Sequence, residues 1–306
     1  MNTQSNTVPD SSRDSRTNTS PAGIRSATRL FYWSVRRELW EHRSIHIAPL
    51  IAAAAALLGF LIATLGRALT MPNPADRLRV LEEPFTFTMG LILGTAFIVG
   101  IFYCLDALYS ERRDRSILFW KSLPVSDLTT VLSKATVGVV LVLLIGFAIS
   151  VVTQFIMLLV GTAVVSASGL DAAAFLNNVA LGRSSLMLLY HVVTVHMLWY
   201  APFYAWLLFV SAWARRAPFL WAVLPPFAIG AIEKIAFNTT HFATLLQNRL
   251  HGGHEAMSMS DAFPPDLMTH LSSGRFLTSP GLWVGLVIAA ALLAAAVRVR
   301  RYREPL

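Results

Sequence analysis

Residues 137–153 read VGVVLVLLIGFAISVVT, without one charged side chain. A helix at a soluble protein's surface would carry a polar face over such a distance, and this one does not. Its length matches the roughly 17–25 apolar residues a helix needs to cross about 30 Å of hydrocarbon. The pattern recurs. Six long apolar stretches begin near Ile47, Thr88, Ser133, Leu186, Pro218 and Gly281 in a chain of 306 residues. Inside a bilayer the backbone must satisfy its own hydrogen bonds, so the crossings are expected to be α-helices. The sequence therefore predicts an all-α, polytopic membrane protein with six transmembrane helices. A mean hydropathy of +0.57 and a charged fraction of 14% agree. Soluble domains carry about 25% charged residues.

The net charge of +8 raises the question of nucleic acid, and its distribution answers it. With the first crossing running outward, 18 of the 25 Lys and Arg residues fall on the side of both termini. They include Arg36, Arg37, Arg112, Arg113, Arg115, Arg215, Arg216, Arg298 and Arg300. This asymmetry is the positive-inside pattern, and it predicts cytoplasmic termini. The basic excess reads as topology, with anionic lipid as a contact and no nucleic acid partner. Cys104 is the only cysteine, so no internal disulfide can form.

Residues 1–24 are polar and are expected to form a disordered cytoplasmic tail. Residues 25–46 turn aromatic and basic. Trp33, Arg36, Arg37 and Trp40 suit a helix lying at the headgroup level, with Phe31, Val35 and Leu39 on one face. The plainer reading is a cytoplasmic extension of the first crossing. Residues 47–306 would form the transmembrane domain. The first external loop, about Arg67 to Phe87, contains Pro72, Pro74 and Pro84 and is expected to be irregular. The second has room for a short helix after Asp171. The longest, 238–280, has room for one or two.

The chain lacks the residues of an enzyme. Lys121, Lys134 and Lys234 follow Trp, Ser and Glu, so none completes a P-loop, and no H-E-x-x-H or G-x-S-x-G is present. The most informative local segment is the long cytoplasmic connection, residues 110–132, between the second and third crossings. Positions 111–126 read ERRDRSILFWKSLPVS: a charged cluster, an apolar and aromatic run, then a proline stop. Ser126 with Asp127 is placed to cap the third crossing. A short helix presenting Ile117, Phe119, Trp120 and Leu123 could offer a surface to a cytoplasmic partner. An ordinary interfacial loop anchored by Trp120 is the alternative.

This stretch resembles the permeases of type-2 ATP-binding-cassette (ABC) transporters, mostly bacterial exporters. In that family a Glu-Arg-Glu-x-Gly-Thr-Leu segment leads through an apolar run to Leu-Pro-Val-Ser. The likeness falls on Glu111, Arg112, Ser116, Ile117, Ser122, Leu123, Pro124, Val125 and Ser126. The chain departs at Arg113, where the family has its second Glu, at Arg115, its Gly, and at Ser116, its Thr. The resemblance implies a coupling helix between crossings 2 and 3 that docks on a separate cytoplasmic ABC ATPase subunit, which binds the ATP and Mg. This chain would hold no cofactor. Glu111, Arg112, Arg113 and Ser116 would orient the segment, and Ile117, Phe119, Trp120, Leu123 and Pro124 would form its contact surface. The resemblance also implies a second copy or a paralogous permease, and a multi-pass location in the bacterial inner membrane. The function so implied is the membrane subunit of an ATP-driven exporter. A membrane scaffold or sensor that recruits a cytoplasmic regulator is the competing class.

Other candidates carry weaker expectations. Gly90 and Gly94 form a small-x-x-x-small pair suited to close helix approach, expected within the bundle in preference to a dimer seam, which the family resemblance would place on the first and fifth crossings. Asp106 is expected to pair with a nearby Arg. His191 and His196, five apart, fall about 140° apart on an α-helix and so are not expected to share a metal. Pro225 and Pro226 remove two donors and are expected to bend or break the fifth crossing as a possible hinge. No metal site is expected, His251 and His254 in the last loop included.

Overall fold

A computed structural model describes residues 21–64, 66, 73–116, 125–169, 171–250 and 277–302. Among them every regular element is helical. The chain runs through α1 (Pro21–Glu41), α2 (Ser44–Ala63), α3 (Pro74–Asp106), α4 (Tyr109–Arg113) and α5 (Asp127–Thr136). A π-helical turn, π1 (Val137–Leu141), leads into α6 (Val142–Ala167), followed by α7 (Ala172–Val179) and α8 (Leu181–His191). A second π segment, π2 (Val192–Trp199), precedes α9 (Ala201–Trp213), α10 (Pro218–Phe237), α11 (His241–Leu250) and α12 (Pro280–Tyr302). Six stretches are long and apolar enough to cross a membrane: Ser44–Ala63, Val80–Arg113, Asp127–Ala167, Ala172–Trp199, Pro218–Phe237 and Pro280–Tyr302. The fold is a multi-pass membrane bundle. Six crossings leave both termini at one end, called here the terminal end; the other is the distal end.

Boundaries differ from expectation at both ends of α1. The helix begins at Pro21, inside the stretch read as a disordered tail, because a proline is pre-shaped for the first helical turn. Positions 1–20 lie outside the described residues. Helix α1 stops at Glu41, and the chain tightens through His42 and Arg43 before α2 starts at Ser44.

The loop between the first and second crossings is shorter than its prolines suggest. Residues 74–87 are helical, and Pro84 sits inside α3. Pro74 opens that helix and Asp76 complements its N-terminus. Leu81 and Phe85 are buried against Phe60, Met157, Val165 and Phe175. That burial outweighs one missing backbone donor.

Local signals were otherwise followed. The Ser126 hydroxyl accepts from the Thr129 amide at 3.1 Å to cap α5. The Asp171 carboxylate accepts from Ala173 and Ala174 to start α7. Helix α11 occupies the start of the long 238–280 loop; its residues 251–276, with His251, His254 and His270, lie outside the described residues.

The largest core cluster sits toward the terminal end. Ile45, Tyr103, Cys104, Val137, Tyr204 and Leu208 join α2, α3, π1 and α9 there, with Val35 and Leu39 of α1 packed against them. Close approach depends on Gly146, which opens a small-x-x-x-small pair with the buried Ser150. A Cβ on Gly146 would stand 2.7 Å from the Ala96 Cβ, so α3 and α6 meet almost backbone to backbone. Nothing lies within 4 Å of a Cβ at Gly90 or Gly94, so this pair takes no part in tight packing within the bundle.

Candidate functional site: a buried ion network

Helix α1 divides its side chains between two environments. Trp33 and Trp40 are exposed, and the Arg36 guanidinium lies 5.2 Å and 5.4 Å from their rings. These three form the cation–aromatic face expected at a membrane surface. Arg37, one residue on, points the other way. Its Nη2 lies 2.7 Å from Glu38 Oε1 and 3.7 Å from Glu111 Oε1, and its Nε 3.3 Å from Glu41. It turns toward the interior of the bundle, away from the exposed Trp33–Arg36–Trp40 face.

Glu38 is fully buried and anchors a network drawn from five helices, α1, α3, α4, α5 and α12. Lys134 of α5, 1% exposed, donates to Glu38 Oε1 at 2.8 Å and lies 3.1 Å from Glu111 Oε1. Tyr103 of α3 donates its hydroxyl to Glu38 Oε2 at 3.1 Å. Arg300 of α12 contacts Glu111 Oε2 through Nη1 and Asp127 Oδ1 through Nε, the latter at 3.1 Å. With Glu41, four carboxylates thus face the three cations Arg37, Lys134 and Arg300, and the His42 ring lies 3.8 Å from Glu38. Burial by itself would raise the Glu38 carboxyl; the Lys134 ammonium, then Arg37 and His42, outweigh it and hold the group below its ordinary value of 4.5.

Glu111 is 6% exposed and Arg112 2% exposed. Arg112 donates to the carbonyls of Ser211 and Ala214, the last turn of α9. Ser211 in turn accepts at its hydroxyl from the amides of Leu108 and Tyr109, each at 3.0 Å. These two residues lock the α3–α4 break onto the end of α9. Ser116 donates to the Glu111 carbonyl at 3.3 Å. Arg113 is exposed and bonds only locally, to Asp114 at 3.0 Å. Asp106 has no ion-pair partner among the described residues; the pairing expected of it is made by Glu111. Ile117, Phe119, Trp120, Leu123 and Pro124 lie outside the described residues.

Arg115, at the position where the resembled family has glycine, has φ 57°. Left-handed backbone costs a residue with a Cβ roughly 1–2 kcal/mol and costs glycine almost nothing. The turn that a glycine would favour is therefore present here without one.

Glu38, Lys134, Asp127 and Arg300 escaped the sequence reading as a site. Each was absorbed into a charge count or a cap. One signal was available: Glu38 sits three residues after Val35, on the apolar side of a helix whose other charges are four arginines and Glu41. Lys134, at the start of an uncharged run, was a second.

Two further expectations are corrected. Helix α10 is continuous through Pro225 and Pro226. Pro226 leaves the Ala222 carbonyl without its helical donor, and the Trp206 indole N–H supplies one at 3.1 Å. The rings of His191 and His196 do share a side, with centroids 6.3 Å apart. Segment π2 pairs residue i with i+5, so positions five apart return to nearly the same face. No group of three metal-ligating side chains forms around them among the described residues. Gln154 behaves as expected of a polar residue in a crossing: it is buried, and its amide donates to the Phe85 carbonyl of a neighbouring helix at 3.3 Å.

Comparison with known proteins matched no family model, no curated protein and no solved structure.

Proposed function

We propose that this chain is the membrane subunit of an ATP-driven exporter of the type-2 ABC kind, multi-pass in a bacterial inner membrane with both termini cytoplasmic. A separate ATPase subunit docks on residues 110–132 and hydrolyses ATP, and a second copy or a paralogous permease completes the complex. The observation that carries this reading is the position of Glu111. It begins the segment with the family-like motif, and its carboxylate is tied to Lys134 and Arg300, with Arg37 alongside. A displacement of that segment would be felt at once by α1, the start of the third crossing and the end of the sixth. Buried ion pairs suit such a relay because they tolerate only a few arrangements. The left-handed turn at Arg115 is a second support, since it falls at the motif's glycine.

The test is purification of the full tagged chain from its native membrane. A P-loop ATPase should co-elute, and Trp120→Asp should remove it while leaving the unfolding temperature unchanged. Recovery of the chain with no ATPase, or full retention of the ATPase and of transport in both Trp120→Asp and Glu111→Gln, would overturn the proposal. Co-elution of a regulatory protein in place of an ATPase would favour the scaffold or sensor class.

A further inference from the structure

At the distal end, α3, α6, α7 and α8 line a half-open cavity of about 450 Å³. That lies in the range of small-molecule sites. Its walls come from four helices held by fixed contacts. The Phe85 ring stands edge-on to Phe60 and to Phe175, with centroids 6.0 Å and 6.3 Å apart. Gln154, 3% exposed, is oriented by its bond to the Phe85 carbonyl. The Asp171 cap fixes the start of α7, which brings Asn177 and Asn178 to the rim.

The lining has a definite chemistry. Met89, Met187 and Phe85 provide an apolar floor. The charged residues of the lining are Glu82, Glu83 and Arg183. Glu82 accepts one hydrogen bond, from Asn178 Nδ2 at 2.9 Å, and has no cation within ion-pair distance among the described residues. A second cavity of about 490 Å³ shares Glu83 and is otherwise lined almost entirely by apolar groups, among them Gly59, Phe60, Phe87 and Leu91. A carboxylate therefore stands between a polar chamber and an apolar groove. The groove's wall is bare at Gly59, where a Cβ would meet nothing within 4 Å.

We propose that this paired cavity binds an amphiphile with an ammonium head and an alkyl tail. The ammonium lies against Glu82 and the amides of Asn177 and Asn178, and the tail runs over the apolar lining. Methionines suit such a floor because their flexible thioethers adapt to differing tails. The site does not depend on the exporter reading; it belongs to one copy of the chain and can be assayed without any partner.

The experiment uses the full-length protein in detergent and three water-soluble probes of equal chain length: hexylammonium, hexanol and hexanoate. Calorimetry should show the ammonium binding about tenfold more tightly than the alcohol, the worth of one charge-assisted contact, and hexanoate more weakly than either. Glu82→Gln keeps the Asn178 hydrogen bond and should abolish the preference for the cation. Met187→Trp should fill the chamber and remove binding of all three. The same titration in phosphatidylglycerol and phosphatidylethanolamine bilayers separates two sources of the head group. Weaker binding in the second marks a lipid ammonium as the resident, and equal binding a soluble amine. Equal affinity for the three probes, or an unchanged cation preference in Glu82→Gln, would overturn the proposal.

Discussion

At the terminal end, Glu38, Glu111, Lys134 and Arg300 are each at most 6% exposed and contact one another directly. At the distal end, the comparable cation is Arg249 of α11, only partly covered. It lies 4.1 Å from the Trp199 ring centroid and donates to the Gly281 carbonyl at 2.9 Å, with no carboxylate partner among the described residues. Around it, Trp199 and Tyr200 donate to the carbonyls of Arg249 and Leu250. Glu233 accepts from the amides of His241 and Phe242, which caps α11. One end is held by opposed buried charges, the other by caps, ring faces and carbonyls. The first kind of contact is costly to break halfway, because any uncompensated charge is left out of water. The second loosens by small steps. The two ends therefore differ in how abruptly their contacts can be lost.

The sharpest attempt to break this contrast removes one charge from the terminal network. Lys134→Met leaves Glu38 and Glu111 facing each other and should cost about 3–5 kcal/mol, read as a lowered unfolding temperature in detergent. Adding Glu38→Gln should recover part of the loss. A single variant as stable as the wild type would place the network outside the load path of the fold.

Acid probes the same cluster more gently. The Glu38 carboxyl is held below 4.5 in the folded chain, so its contribution is complete above that value. It fades as pH falls below 4.5 through the lower folded value. The unfolding temperature should keep this contribution from about pH 7 to about pH 5 and lose it on further acidification. Glu38→Gln should remove that acid-sensitive component. A loss already complete above pH 5 in the wild type and the variant alike would assign the sensitivity to other groups.

The smallest effect belongs to the distal end. Arg249→Gln keeps a donor for the Gly281 carbonyl and loses the ring contact, worth about 0.5–1 kcal/mol where solvent has access. A loss as large as that of Lys134→Met would erase the distinction between the ends.

How far these features could be read in advance depended on their range. The six crossings were legible because hydropathy sums over a window and needs no knowledge of neighbours. The caps at Ser126 and Asp171 were legible because a side chain reaches amides two or three residues on. Glu111 and Arg112 were singled out from a motif, and both turned out buried and bonded across helices. The failures share one cause. Pro84 looked like a loop residue until Leu81 and Phe85 were seen buried. Pro225 and Pro226 looked like a break until Trp206 was found beside Ala222. His191 and His196 looked opposed because an α-helical period was assumed where the chain adopts a π turn. Gly90 and Gly94 matched a packing pattern, yet Gly146 makes the close contact.

Composition and hydropathy alone set the number of crossings, the helical class and the basic asymmetry between the two sides, since solvation acts on each residue according to its own chemistry. The pairing of Glu38 with Lys134, 96 positions apart, and of Glu111 with Arg300, 189 apart, was settled only when the helices packed. A buried charge is tolerable or ruinous according to what stands within a few ångströms of it, and that distance exists only in the folded bundle.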